Sequence, residues 1–248
     1  PGQQDQTGQD QVPARQGGPE LVCIPVVGLI RSTLAFVVPP VVGMVLFLLS
    51  APFGRRRAAN LGIAVVTRLG LGLAGIRLSI GGDASLLKQR PAVFVINHQS
   101  GTDPIIVASL LQRNMVAIAK HELRYHPLLG PLMRMLGTVF VKREQGIGPQ
   151  VLAPLLPVLA EGYAVALSPE GRRSRDGTLQ PFKPGALWLA QQAGVPLIPV
   201  VLHNSGDILP AKGLLMRAGT VRITVLPAQP ATLTPHQLRQ VFADALAV

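Results

Sequence analysis

FVINHQSGTDPIIVASLL, residues 94–111, changes character halfway along. It opens inside an apolar run, AVFVI (92–96), of the length and β-branched content that predict a strand. A polar turn follows, and Asp103-Pro104 then opens a second apolar run. Aspartate before proline predicts a helix start. The carboxylate can cap the first N–H groups, and proline suits the first helical position. Strand, turn and helix make the beginning of an α/β unit. The turn, with Asn97, His98 and Asp103, then falls at the carboxyl end of a strand, where open α/β sheets place their sites.

The same alternation extends outward. Further strands are predicted at 76–80, 115–119, 138–142, 164–168, 197–202 and 221–226, and helices at 104–112, 128–136, 147–161, 184–193 and 235–246. Apolar strands alternating with helices imply an α/β fold with a central, mostly parallel sheet flanked by helices on both faces. The two prolines of VPLIPVVL predict that strand 197–202 is an edge or carries a bulge.

Before this domain, taken as 76–248, come two other segments. Residues 1–20 are Gln, Gly and Pro with little that is apolar, so a disordered tail or linker is expected. Residues 21–75 are expected to form a membrane-associated helical segment. Positions 32–51 are uncharged, about 30 Å as a helix, which is long enough to span a bilayer. Pro39-Pro40 interrupts the run. One kinked spanning helix is one outcome. Two short helices joined at the prolines and dipping into one leaflet is the other, and the favoured one. Arg31 and the cluster Arg55, Arg56 and Arg57 would then lie near headgroups.

Composition narrows the partners. The formal net charge is +11, which favours an anionic partner, a nucleic acid or an anionic membrane surface. Only 4% of residues are aromatic, too few to give the stacking platforms that single-stranded nucleic acid needs, so the membrane is favoured. Cys23 is the one cysteine, so neither an internal disulfide nor a cysteine metal cluster is expected.

At the 97–103 turn, Asp103 read alone is a helix cap and His98 a loop histidine. Together they offer more. A carboxylate folded back over a short turn can hold one imidazole nitrogen as N–H and leave the other as a base. No G-x-S-x-G nucleophile accompanies them, so the substrate itself would supply the hydroxyl. A second cluster, LSPEGRRSRDGTL (167–179), also follows a strand and crowds Glu170, Arg172, Arg173 and Arg175 around Gly171. Paired guanidinium hydrogen bonds suit a phosphate. A third, GTVFVKR (137–143), brings Lys142 and Arg143 to another strand end. His121, His126, His203 and His236 are scattered and read as surface or structural.

These blocks resemble a known family. NHQSGTD is similar to the NHx4D motif of the glycerolipid acyltransferases, the 1-acylglycerol-3-phosphate acyltransferase superfamily. GTVFVKR resembles its second block, SPEGRRS the third (usually FPEGTRS), and GVPLIPV the fourth; FKPGALWLA (182–190) matches the sequence between the last two. The tail without an initial Met resembles actinobacterial proteins in which this domain follows a haloacid dehalogenase-like domain.

The resemblance implies that His98 is the general base and that Asp103 orients it. It implies that Arg143, Glu170, Gly171 and Arg173 bind the phosphate-bearing acceptor, with Arg172, Lys120 and Lys183 as further substrate-binding candidates. The departures are Ser168 for Phe, Arg172 for Thr, and Lys142 where many members carry Asp. The implied reaction moves a fatty acyl group from acyl-CoA or acyl carrier protein to a lysophosphatidic acid-type acceptor, forming phosphatidic acid in phospholipid biosynthesis. It calls for no metal and no other cofactor. The implied partners are the lysophospholipid acceptor, the thioester donor and an anionic membrane surface, with no nucleic acid. The implied place is the cytoplasmic face of the inner or plasma membrane. Another lysolipid or glycerol-3-phosphate as acceptor, or a non-catalytic lipid-binding domain of the same fold, are the alternatives. A metal-dependent phosphoesterase would want a second histidine or carboxylate cluster.

Overall fold

A computed structural model of the chain describes residues 20–127, 129–141, 148–174, 177–210, 213 and 215–247, with side chains from residue 26 onward. Helix α1 (Glu20–Ser50) runs into a 3-10 turn, Ala51–Phe53, and α2 (Arg55–Ala74) returns alongside it. The domain then follows as β1 (Ile76–Gly82), β2 (Ala92–Ile96), α3 (Asp103–Leu111), β3 (Met115–Lys120), α4 (Leu129–Met135) and β4 (Val139–Val141). After these come α5 (Pro149–Leu152), α6 (Leu156–Ala160), β5 (Ala164–Leu167), α7 (Gly185–Ala193), β6 (Leu197–Leu202), α8 (Ser205–Ile208), β7 (Gly219–Val225) and α9 (Pro235–Leu246).

Among the described residues the strands form one sheet of order β1-β7-β6-β2-β5-β3-β4, parallel except where β6 meets β7. Period-two alternation sorts the core onto its faces. Phe94, Ile96, Ile198 and Ile223 pack with Ile106 of α3 and with Ile63 and Leu71 of α2. Val93 and Val95 point the other way, into a layer made by Leu155, Leu159, Leu189 and Phe242 from the helical segments 149–160, α7 and α9. Phe94 and Phe242 are fully buried, each burial worth ~1.5–3 kcal/mol. The parallel neighbours β2, β5, β3 and β4 end side by side, so the loops that follow β2, β5 and β3 converge on one rim of the sheet.

Three expectations change. Pro39-Pro40 does not divide the apolar segment, because α1 is continuous through both prolines. Both are buried, and the Pro39 ring sits over Gly70 of α2, so packing against the partner helix compensates for the lost intrahelical bonds. The hairpin lies instead between α1 and α2. Gly43 meets Val66, Pro39 meets Gly70 and Arg31 meets Gly75, which is antiparallel pairing along most of α2. Arg56 is not free at the hairpin tip. Its Nε donates to Asn114 Oδ1 at 2.8 Å, and its guanidinium lies 4.5 Å from the Tyr163 ring centroid.

Strand 197–202 is central, not an edge, but its antiparallel register shifts by one residue beside Pro199, between Leu197↔Gln229 and Val200↔Val225, as the bulge alternative expects. Pro199 is tolerated because the β7 ladder begins one residue later, at Val200↔Val225, and the Pro199 carbonyl alone is used, by Leu226 N–H. The predicted helix 147–161 is broken into α5, a 3-10 turn (Ala153–Leu155) and α6, with Pro154 and Pro157 at the breaks.

Candidate active site

The turn after β2 is fixed from both sides. Asn97 is buried, and its side-chain amide makes two bonds to the backbone of Leu202, each 2.8 Å: Nδ2 donates to the carbonyl and Oδ1 accepts from the N–H. It thereby extends the β2–β6 pairing by one residue with a side chain. The sequence places Asn97 in the turn without giving it a role. The available signal was an amide, which mimics a peptide group, at the end of a wholly buried strand. Ser100 closes the other side by donating Oγ–H to the Leu209 carbonyl at 2.8 Å.

Within this frame His98 and Asp103 meet. His98 Nδ1 lies 2.7 Å from Asp103 Oδ2, with Asp103 wholly buried and the His98 side chain 16% exposed. The same Oδ2 accepts the backbone N–H of Gln99 and of Ser100. The expected cap therefore does not form. Thr102 holds the cap position, Asp103 is the first helical residue, and its carboxylate turns back over the turn instead of forward into α3. Asp103 Oδ1 is buried without a hydrogen-bond partner.

The loop after β5 packs against this turn. Glu170 is 3% exposed; Oε1 accepts the His98 backbone N–H at 2.8 Å and Oε2 accepts that of Gln180 at 3.0 Å. Ser174 N–H donates to the His98 carbonyl, so the His98 peptide is held at both ends. Burial pushes the Glu170 carboxyl above its ordinary value, outweighing the two backbone N–H groups that favour its charge. Gly171 follows at φ 72°, a left-handed conformation that favours glycine.

The other predicted site residues are more open. Arg173 is exposed with Nη1 close over Gly101 of the catalytic turn. Arg172 is exposed and reaches Gln180 Oε1 at 3.4 Å. Lys120 ends β3 on the same rim and pairs with Glu122 at 3.2 Å. The Lys183 side chain is exposed, while its backbone N–H bonds the Pro169 carbonyl. Arg143, with Lys142 and Arg175, lies outside the described residues.

Beneath His98 an apolar cavity of about 100 Å³ runs between α3 and the sheet, walled by Ile96, Pro104, Val107, Met115, Ala166 and Leu152. An imidazole poised by a buried carboxylate thus borders a space suited to a hydrocarbon chain. Among the described residues no group of three or more His, Cys, Asp or Glu side chains could hold a metal ion.

The chain is matched over residues 77–203 by the family model described as Acyltransferase. It is 36% identical over 158 residues to the human 1-acyl-sn-glycerol-3-phosphate acyltransferase beta, covering 63% of this chain and 57% of that relative. It is 33% identical over 205 residues to the human alpha form, covering 79% and 72%. A relative of the same name from Borreliella burgdorferi is 29% identical over 164 residues, covering 64% of each chain. Among solved structures, the 1-acyl-sn-glycerophosphate (LPA) acyltransferase PlsC from Thermotoga maritima superposes with a TM-score of 0.75 at 21% identity, covering 90% of this chain and 95% of that one. That last likeness speaks to the fold.

Proposed function

The chain belongs to the acyltransferase family, and we propose that it moves a fatty acyl group from an acyl thioester to the free hydroxyl of a lysophosphatidic acid-type acceptor, forming phosphatidic acid. The observation that carries this is the His98–Asp103 pair on the wall of an apolar cavity.

The chemistry follows from the geometry. Asp103 engages Nδ1, which leaves Nε2 of His98 to take the acceptor's hydroxyl proton. The acceptor oxygen bonds to the thioester carbonyl carbon, and a tetrahedral oxyanion forms. Its collapse breaks the C–S bond, and the departing thiolate takes the proton from the imidazolium. Asp103 offsets the positive charge while it lasts. A thioester is already activated, so the protein's work is to position the reactants, remove a proton and stabilise the oxyanion.

Arg172 and Arg173, with Arg143, are suited to the acceptor's phosphate, Arg173 standing beside the catalytic turn. Glu170 serves the site from within, joining the His98 peptide to the loop that bears these arginines. Helix α1 is long and apolar enough to cross a membrane and would hold the domain at the bilayer where both lipids reside.

The test is acyl transfer by the full chain in mixed micelles. Labelled acyl-CoA and acyl carrier protein thioesters serve in turn as donors, and 1-acylglycerol-3-phosphate or glycerol-3-phosphate as acceptor. Labelled phosphatidic acid from 1-acylglycerol-3-phosphate is the expected product, insensitive to EDTA, whereas glycerol-3-phosphate would give labelled lysophosphatidic acid. Binding of lipid with no transfer from either donor would favour the non-catalytic alternative and overturn the proposal.

A further inference from the structure

One hydroxyl beside the cavity is left without a partner. Ser168 Oγ is buried, yet among the described residues it makes no hydrogen bond. A buried hydroxyl without a partner is unfavourable unless something else supplies one. Ser168 shares the cavity wall with His98 and Gly171. Its direction follows from β5. Side chains alternate along a strand, so Ala164, Ala166 and Ser168 belong to one face. Ala164 packs into the core layer under α3, and Ala166 lines the cavity itself. Val165 and Leu167 belong to the opposite core layer, although Leu167, at the strand end, also reaches the cavity wall. Ser168 therefore stands one step beyond Ala166 on the cavity side, at the rim where His98 emerges from the neighbouring strand.

We infer that Ser168 is a catalytic residue that donates a hydrogen bond to the acyl carbonyl oxygen of the bound thioester. This role of Ser168 rests on the acyl-transfer proposal. With the hydrocarbon chain in the cavity and the acceptor hydroxyl at His98 Nε2, the reacting carbonyl must lie near the cavity mouth. An oxygen there changes from a weakly polar carbonyl to an oxyanion as the acceptor oxygen adds. A donor fixed in a nearly water-free wall is worth most in that state. The partner missing from the protein is then supplied by the substrate. The family block resembled by SPEGRRS usually carries Phe at this position, so the hydroxyl departs from the usual pattern. It adds a donor to whatever the backbone of the site provides.

The test uses the full chain with Ser168→Ala and Ser168→Thr, reading kcat, the KM of the acyl donor and the thermal midpoint. A partnerless hydroxyl contributes nothing to the fold, so Ser168→Ala should melt no lower than wild type. It should nonetheless lose roughly 10- to 1000-fold in kcat, with the donor KM changed little. Ser168→Thr keeps the hydroxyl and should recover a large part of that loss. Unchanged kcat in Ser168→Ala overturns the inference. So does a kcat loss that comes with a lowered melting midpoint, or one that threonine does not repair. Wild-type protein that transfers no acyl group would overturn the acyl-transfer proposal first, and this inference with it.

Discussion

Asp103 Oδ2 takes three donors at once: His98 Nδ1 at 2.7 Å and the backbone N–H groups of Gln99 and Ser100 at 2.8 Å each, while its other oxygen has none. The carboxylate therefore shapes the turn as well as aiming the ring. Asp103→Asn should harm both. An amide oxygen in place of Oδ2 is a weaker acceptor without charge, and its NH2 would lie unpaired where Oδ1 is buried. A stability loss of about 1–3 kcal/mol is expected, together with a fall in turnover. Denaturant unfolding beside the acyl-transfer assay checks both; wild-type stability in Asp103→Asn would mean that the turn does not depend on this carboxylate.

His98→Ala separates chemistry from structure. The Asp103 bonds to Gln99 and Ser100 survive, and so do the backbone bonds of residue 98 to Glu170 and Ser174. Turnover should fall roughly 10²–10⁴-fold with little loss of stability. Near-normal transfer by this variant would remove His98 from the mechanism.

Glu170 predicts a pH dependence of folding. Burial raises its carboxyl above the unfolded value, so the folded chain holds this proton more tightly than the unfolded one. In the window between the two values the native state binds more protons, and stability falls as pH rises. The contribution is full below the unfolded value and is lost as pH climbs through the folded one. Glu170→Gln cannot titrate. The stability of wild type relative to Glu170→Gln should thus decline from about pH 4 upward. Urea midpoints of the two proteins across pH read this directly, and a relative stability that grows with pH would reverse the sign.

Much of this was legible beforehand. The sheet is readable because buried parallel strands are continuous Val, Ile and Leu runs, and the His98–Asp103 meeting follows from their five-residue spacing across the turn between a strand end and a helix start. Most of the fold-level departures lie at proline. Pro39-Pro40, Pro154, Pro157 and Pro199 each remove a donor, but whether that matters depends on what lies opposite. At Pro199 the neighbouring ladder has not begun, and at Pro39 a glycine notch in another helix receives the ring. Neither partner is written next to the proline in sequence. The family resemblance implies acceptor binding for Glu170, whereas its carboxylate turns inward onto backbone N–H groups. Its inward turn depends on the N–H of residues 98 and 180, brought near only by the fold.

The α1–α2 contact makes its own prediction. A Cβ on Gly43 would collide with Cγ2 of Val66, a β-branched side chain with little freedom to turn away. Gly43→Ala should cost about 1–3 kcal/mol by overpacking. Adding Val66→Ala should restore most of that loss, a coupling expected only for residues in contact. Additive effects in the double variant would separate the two helices at this point.

The outward side of α1 decides how the protein meets a membrane. Val27, Ile30, Leu34, Val37, Val41, Val45 and Leu48 recur at steps of three or four and are 41–63% exposed, while Ser32, Ala35, Pro39, Gly43 and Phe47 are buried on the opposite side. An apolar stripe of this length facing water is unfavourable, and a hydrocarbon layer would cover it. The basic surplus adds attraction to anionic headgroups, but that part is screened at 1 M salt, where the Debye length is about 3 Å. Wild type should therefore float with vesicles in high salt. Val41→Glu, in the middle of the stripe, should weaken flotation about 100-fold, since a charge in hydrocarbon costs on the order of 2.5–3.5 kcal/mol. Because Val41 is not packed inside the protein, the variant should melt like wild type in detergent. Flotation of Val41→Glu equal to wild type, or complete release of wild type by salt, would place the attachment on the basic surface and not on α1.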